Sequence, residues 1–143
     1  MTFEELQAVI DSRDIIVEDL PETALDEASY YGRIFARTGG VTDAVAEAVK
    51  ELGREDFAFD PIVCEGIDKC KPALMRAKKG VLSSNFIEGM ICSGGCIGGA
   101  GCLTHGEANK KEVDEYGKSA SHEAIKTAID DYSKEFTKIN QMD

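Results

Sequence analysis

Between Ser93 and Gly101 the chain carries five glycines in nine residues. Glycine has no Cβ and loses the most conformational freedom on folding, so such a run cannot form the interior of a helix or strand. It must be a loop whose backbone comes close to something. Cys92 and Cys96 bracket the start of this run and Cys102 follows its end, so three of the five cysteines fall within eleven residues. The others are Cys64 and Cys70. The opening Met1-Thr2-Phe3-Glu4-Glu5 has neither a basic start nor an apolar run, so a cytoplasmic location is expected. An odd cysteine count there argues against a disulfide framework and for metal binding or reactivity.

Cys92 and Cys96 are separated by three residues, two of them glycine. Thiolates are soft ligands suited to iron–sulfur clusters and zinc. Glycines let the chain curl around a bulky inorganic group and leave backbone N–H groups free to point at its sulfurs. A redox cysteine pair uses two intervening residues and opens a helix, which this spacing does not fit. Cys102 and His105 extend the series to four potential zinc ligands, a structural-zinc reading that remains open at this point. Cys64, in an expected strand, and Cys70, on an apolar helical stripe, read as core residues. Thr38-Gly39-Gly40 lacks the lysine of a phosphate loop. His122 reads as a surface helix residue.

The surrounding pattern is helical with two short extended segments. Thr2 and Glu5 form a capping box before an apolar face of Phe3, Leu6, Val9 and Ile10, predicting a helix over 3–12. Residues 14–20 could be extended, and 21–28 read as an acidic loop. Val41, Val45, Ala48, Val49 and Leu52 repeat at helical spacing after Gly39-Gly40. Residues 57–63 read as a strand, 67–81 as a helix ending near Gly80, and 85–90 as a strand running into the cysteine loop. From Asn109 to Ile139 helical spacing returns, weakened around Gly117 and Ser119–Ser121, so two helices are expected. The fold class is α/β, or α+β, with a small, mainly parallel sheet flanked by helices and a C-terminal helical segment. Residues 1–106 are expected to form the main unit and 107–143 a helical tail.

The formal net charge is −11, which excludes the basic footprint of a nucleic-acid binder. No apolar run approaches the roughly 20 residues of a spanning helix, so no membrane is expected as a partner. One stretch runs against the overall charge: Lys69, Lys71, Arg76, Lys78 and Lys79 have no acidic residue among them. This reads as a solvated helix face, or more sharply as a docking patch for an acidic electron-transfer partner.

The longer string Phe86-Ile87-Glu88-Gly89-Met90-Ile91-Cys92-Ser93-Gly94-Gly95-Cys96-Ile97-Gly98-Gly99 resembles the third signature of iron-only (FeFe) hydrogenases. That signature is Phe-Ile-Glu, a variable residue, Met, then Cys-x-Gly-Gly-Cys followed by glycines. Ile34-Phe35-Ala36-Arg37-Thr38-Gly39-Gly40-Val41 resembles the family's apolar-Phe-Gly-Ala-Thr-Gly-Gly-Val segment, in the family's order and spacing. The resemblance runs from about Thr2 to Gly101.

The resemblance implies that Cys92 ligates the 4Fe–4S cubane of the H-cluster and that Cys96 ligates the cubane and bridges it to the two-iron subcluster. Met90 and Phe35 would line the two-iron pocket. The implied reaction is reversible hydrogen oxidation and proton reduction with a ferredoxin-like carrier. The family's other two cysteine ligands lie in Thr-Ser-Cys-Cys-Pro and Met-Pro-Cys segments, N-terminal to the matching region and absent here, and the proton-relay thiol belongs to the first. The expectation is a C-terminal fragment with no catalytic residue of its own, a cofactor held only together with the missing N-terminal part, and a tendency to self-associate. Ala36 and Arg37 stand where the family usually has Gly and Ala, and Cys102 where it has Gln, which points to a divergent branch. A non-catalytic iron–sulfur sensor or assembly protein is the alternative within the family, and a zinc module the alternative outside it.

Overall fold

The computed structural model describes residues 1–23, 28–122 and 124–139, with side chains of the last helix described to residue 134. Part of the expected acidic loop, residues 24–27, lies outside the described residues. The helix α1 (Phe3–Ser12) starts at the expected capping box: Glu5 N–H donates to Thr2 Oγ1 at 3.1 Å and Thr2 N–H to Glu5 Oε2 at 2.8 Å. The segment after it is not extended but contains a short 3-10 turn at Val17–Asp19. A one-turn helix α2 (Tyr30–Arg33), capped by Ser29, was not signalled by any periodicity. It leads through Ile34, fully buried, into α3 (Gly40–Glu51).

The sheet has two parallel strands, β1 (Pro61–Glu65) and β2 (Phe86–Met90), in register from Pro61 opposite Phe86 to Glu65 opposite Met90. They are joined by α4 (Ile67–Lys78), since a parallel pair needs a crossover. β1 starts later than the expected residue 57. Phe57 lies in a turn, Phe59 stacks at 5.4 Å on Phe86, and Asn85 pins the approach by accepting from Asp60 N–H at 2.9 Å. The ladder opens at Pro61, where the missing N–H does no harm. Cys64, Cys70 and Ala73 form the core between α4 and the sheet, with Ile62 and Ile87 against it. Cys64 and Cys70 are therefore core residues, as their positions predict.

The expected break in the last helical stretch is present. α5 (Glu107–Lys118) packs on α2, and α6 (Ile125–Ile139) on α3 and α2. Gly117 lets α5 close on α2, because a Cβ there would lie 2.9 Å from Ile34 Cγ2 and from Tyr30. The Glu51 carboxylate caps α6, accepting from Ile125 N–H at 2.7 Å and Lys126 N–H at 2.9 Å. Among the described residues no helix is long and apolar enough to cross a membrane. The fold is thus α/β: one small parallel sheet flanked by helices.

Candidate functional site

β2 delivers the chain directly into the cysteine loop, and Gly66 N–H closes the end of the ladder on Met90 O at 2.8 Å. The loop then turns twice in succession. Gly95 N–H donates to Cys92 O at 3.1 Å, Gly98 N–H to Gly95 O at 3.1 Å, and residues 96–98 make a 3-10 turn. Gly94 and Gly95 both hold φ near +85°, a region that side chains rarely adopt. Cys92 is half-buried, with its Sγ beside Gly99, where an added Cβ would lie 3.4 Å away. Cys96 is exposed.

The two family-like segments, far apart in sequence, meet here. Thr38 N–H donates to Gly94 O at 3.2 Å and Ile97 N–H to Ala36 O at 3.3 Å, while Arg37 pairs with Gly95 in an isolated bridge. A Cβ on Gly95 would lie 2.7 Å from both Ala36 O and Thr38 N, so only glycine permits this approach. The Glu88 carboxylate, 3% exposed, reaches from β2 to the start of α3. It accepts from Gly39 N–H at 2.7 Å, from Thr42 N–H at 2.8 Å and from the Thr42 hydroxyl. These are the orphan donors of a helix N-terminus, and a carboxylate is their strongest partner. One residue therefore welds the strand before the loop to the helix after Gly39-Gly40. Gly40 is equally constrained: its Cβ would fall 1.9 Å from Ile34 O.

Two ionic ties surround this junction. Arg37 is buried and bonds Asp114 of α5 through Nε, Asp43 of α3 at 2.9 Å through Nη2, and Thr38 O at 3.2 Å. Glu65, at the end of β1, accepts from Ser93 Oγ at 2.8 Å. That hydroxyl, and then the Gly94 backbone, hold the Glu65 carboxyl below its ordinary range.

The other residues singled out from the sequence divide. Met90 is half-buried at the end of β2. Phe35, half exposed, lines an apolar groove with residues of α2, α3 and α6, among them Tyr31, Ala44 and Tyr132. Cys102 is buried behind the loop and its Sγ donates to Cys96 O at 3.2 Å. His105 Nε2 lies 3.2 Å from Gly99 O. Among the described residues, no three His, Cys, Asp or Glu side chains come together in an arrangement able to hold a metal ion. His122 is not on a helix but in the link between α5 and α6, with its carbonyl 3.4 Å from Tyr30 N. Lys69, Lys71, Arg76, Lys78 and Lys79 are all exposed on α4 and the turn after it.

Sequence reading missed Glu88 as a cap, Arg37 as a hub and Glu65 as a loop partner. For Glu88 a signal existed: a lone carboxylate in an apolar strand must find N–H donors if it is buried.

Chemically, the loop offers two thiols on a glycine-rich backbone, a donor type suited to iron–sulfur clusters. No curated protein matches the chain. The family model for the C-terminal domain of the iron only hydrogenase large subunit matches residues 1–100 of the 143, a stretch that contains both segments joined at Glu88 and Gly95. The chain belongs to this family, the C-terminal domains of iron-only hydrogenase large subunits.

Proposed function

We propose that this chain is the C-terminal part of an FeFe hydrogenase cluster domain, contributing Cys92 and Cys96 as two of four cysteine ligands. The observation that carries the reading is the Glu88–Gly95 junction, which unites the family's two segments around the cysteine loop. The remaining ligands and the proton-relay thiol come from the N-terminal part of the domain. When bound, the H-cluster supplies the reversible heterolytic cleavage of hydrogen, with a ferredoxin-like protein carrying the electrons. Cys92 and Cys96 would hold iron, the glycines would keep side chains out of its way, and Met90 would give an apolar wall; the resemblance assigns Phe35 to the same wall, and in this chain it lines the groove of α2, α3 and α6.

The packing supports a missing half. Parallel sheets are normally covered on both faces, and an isolated two-stranded sheet is marginal in water. Here Val63, Ile67, Leu74, Val81 and Ile91 stay 40–61% exposed. Such surface favours docking of further strands or, in their absence, self-association.

Anaerobic co-expression with a polypeptide carrying the family's Thr-Ser-Cys-Cys-Pro and Met-Pro-Cys segments, plus the maturation proteins, tests this. Iron uptake and hydrogen evolution are expected only with both pieces, and Cys92→Ala or Cys96→Ala should lose the iron. Hydrogen from the isolated chain would defeat the two-ligand reading. Stoichiometric zinc without iron would favour the zinc module, and iron without hydrogen the sensor or assembly protein.

A further inference from the structure

The loop between the two ligand cysteines is made of residues with little conformational preference of their own. Ser93 is its only member between Cys92 and Cys96 that has a side chain, and that side chain has one specific partner. Ser93 Oγ donates to Glu65 Oε1 at 2.8 Å across 28 residues of sequence. Glu65 is the last residue of β1 and the register partner of Met90. The ladder therefore delivers this carboxylate beside the residue two positions before Cys92. The next residue is held as well: Thr38 N–H donates to Gly94 O at 3.2 Å. Ser93 and Gly94 are thus each held by a residue outside the loop.

We propose that Glu65 is the positioning residue of the Cys92–Cys96 loop: its carboxylate anchors Ser93 and so fixes the direction in which the Cys92 thiol leaves the backbone. The inference rests on the reading of Cys92 and Cys96 as ligands for its meaning, but not for its geometry. Glu65 answers chiefly to the loop and not to a cation. Of the groups that hold its carboxyl low, the Ser93 hydroxyl comes first, the Gly94 backbone next, then the Thr38 hydroxyl, and the charge of Lys69 last. Glu65, Ser93 and Gly94 share the wall of a cavity of about 300 Å³ with His105 and Lys110. A released Ser93 would turn into that space, so losing the tie loosens the loop without collapsing a core. Groups that orient metal ligands in this way set affinity without touching the metal.

The test uses the full chain, reduced and free of metal, with iodoacetamide alkylation followed cysteine by cysteine by mass spectrometry. Cys64 and Cys70, 2% and 4% exposed, report whether the fold is intact. Releasing one hydrogen bond to a charged group should speed Cys92 alkylation about three- to tenfold in both Glu65→Ala and Ser93→Ala. Glu65→Gln keeps an acceptor oxygen and should stay within about twofold of the parent. The double variant should be no faster than Glu65→Ala alone. Unchanged Cys92 reactivity in Ser93→Ala, whose exposed position leaves the fold alone, overturns the proposal. So does a double variant whose effects multiply, or Glu65→Gln behaving as Glu65→Ala. A chain that bound only zinc would leave this pattern intact, so failure of the hydrogenase reading and failure of the loop anchor are told apart.

Discussion

Replacing Glu88 by glutamine is the sharpest perturbation of the junction, because it keeps shape and changes only the donors and acceptors. The carboxylate is 3% exposed and takes three hydrogen bonds, two of them from backbone N–H groups at the start of α3. Glutamine offers one acceptor oxygen and turns an NH2 group toward the remaining donors. One buried N–H is then left without an acceptor, which costs about 1–3 kcal/mol. The favourable charge at the helix N-terminus is lost as well, worth about 0.3–1 kcal/mol. A destabilisation of about 2 kcal/mol follows, a large share of the roughly 5–15 kcal/mol of a whole domain. For a chain of this length the melting temperature should fall about 6–10 °C. Amide exchange gives the local readout. Whichever of Gly39 and Thr42 loses its acceptor should exchange about 30-fold faster, since each 1.4 kcal/mol is a factor of ten. Melting within about 2 °C of the parent, with both amides as protected as before, would refute the claim that Glu88 joins strand and helix.

Three further variants probe the ties around the junction. Arg37→Ala should cost about 2–3 kcal/mol in urea unfolding, less than a fully buried pair because the Asp43 and Asp114 side chains are 49% and 27% exposed. A cycle with Asp114→Ala should show coupling of about 1–2 kcal/mol, and strict additivity would mean that Arg37 does not anchor α5. On the outer side, Lys50 Nζ at 2.7 Å and Tyr31 OH at 3.2 Å both donate to Glu47, linking α2 to α3. The Lys50 bond, against a small opposing effect of burial, holds the Glu47 carboxyl below its ordinary 4.5. A depressed folded value gives stabilisation that is present above the unfolded value and lost as pH falls through the lower, folded one. Melting temperatures followed downward from pH 6 to 3 should therefore drop slightly more in the parent than in Glu47→Gln; parallel curves would show the tie to be inert.

The periodic elements were legible because each rests on local chemistry. Thr2 and Glu5 announce α1, Gly39-Gly40 announces α3, Gly80 with φ of 68° ends the α4 stretch, and the Ser119–Ser121 region separates α5 from α6. The errors lie where tertiary contacts decide. The start of β1 is set by its register against Phe86 and by Pro61, not by the β-forming residues at 57–59. α2 is one turn long and is held by Ser29 and by α5, so no periodicity could show it. The cysteine loop was recognisable as a loop, but nothing local to it names Glu65, 28 residues upstream, as the partner of Ser93.

The ties at Glu88, Gly95 and Arg37 make the two segments a single piece of architecture. The strand that leads into the cysteine loop cannot shift without pulling on Gly39 and Thr42, and the loop cannot lift without opening the Thr38 and Ile97 bonds. None of these ties involves a thiol of Cys92 or Cys96. The loop is therefore shaped by the chain itself, and on the proposed function a partner bringing further ligands would meet a preformed edge. Ordering a flexible loop would cost about 1–2 kcal/mol for each residue fixed, so most of that cost is already met by folding. The exposed apolar residues around β1 and α4 show the opposite arrangement: surface left uncovered while the cysteine loop is built in full. Local rigidity at the cysteines combined with an open sheet is what the proposed half-site would need, since precise placement of ligands and capacity to join another piece make opposite demands on the same small domain.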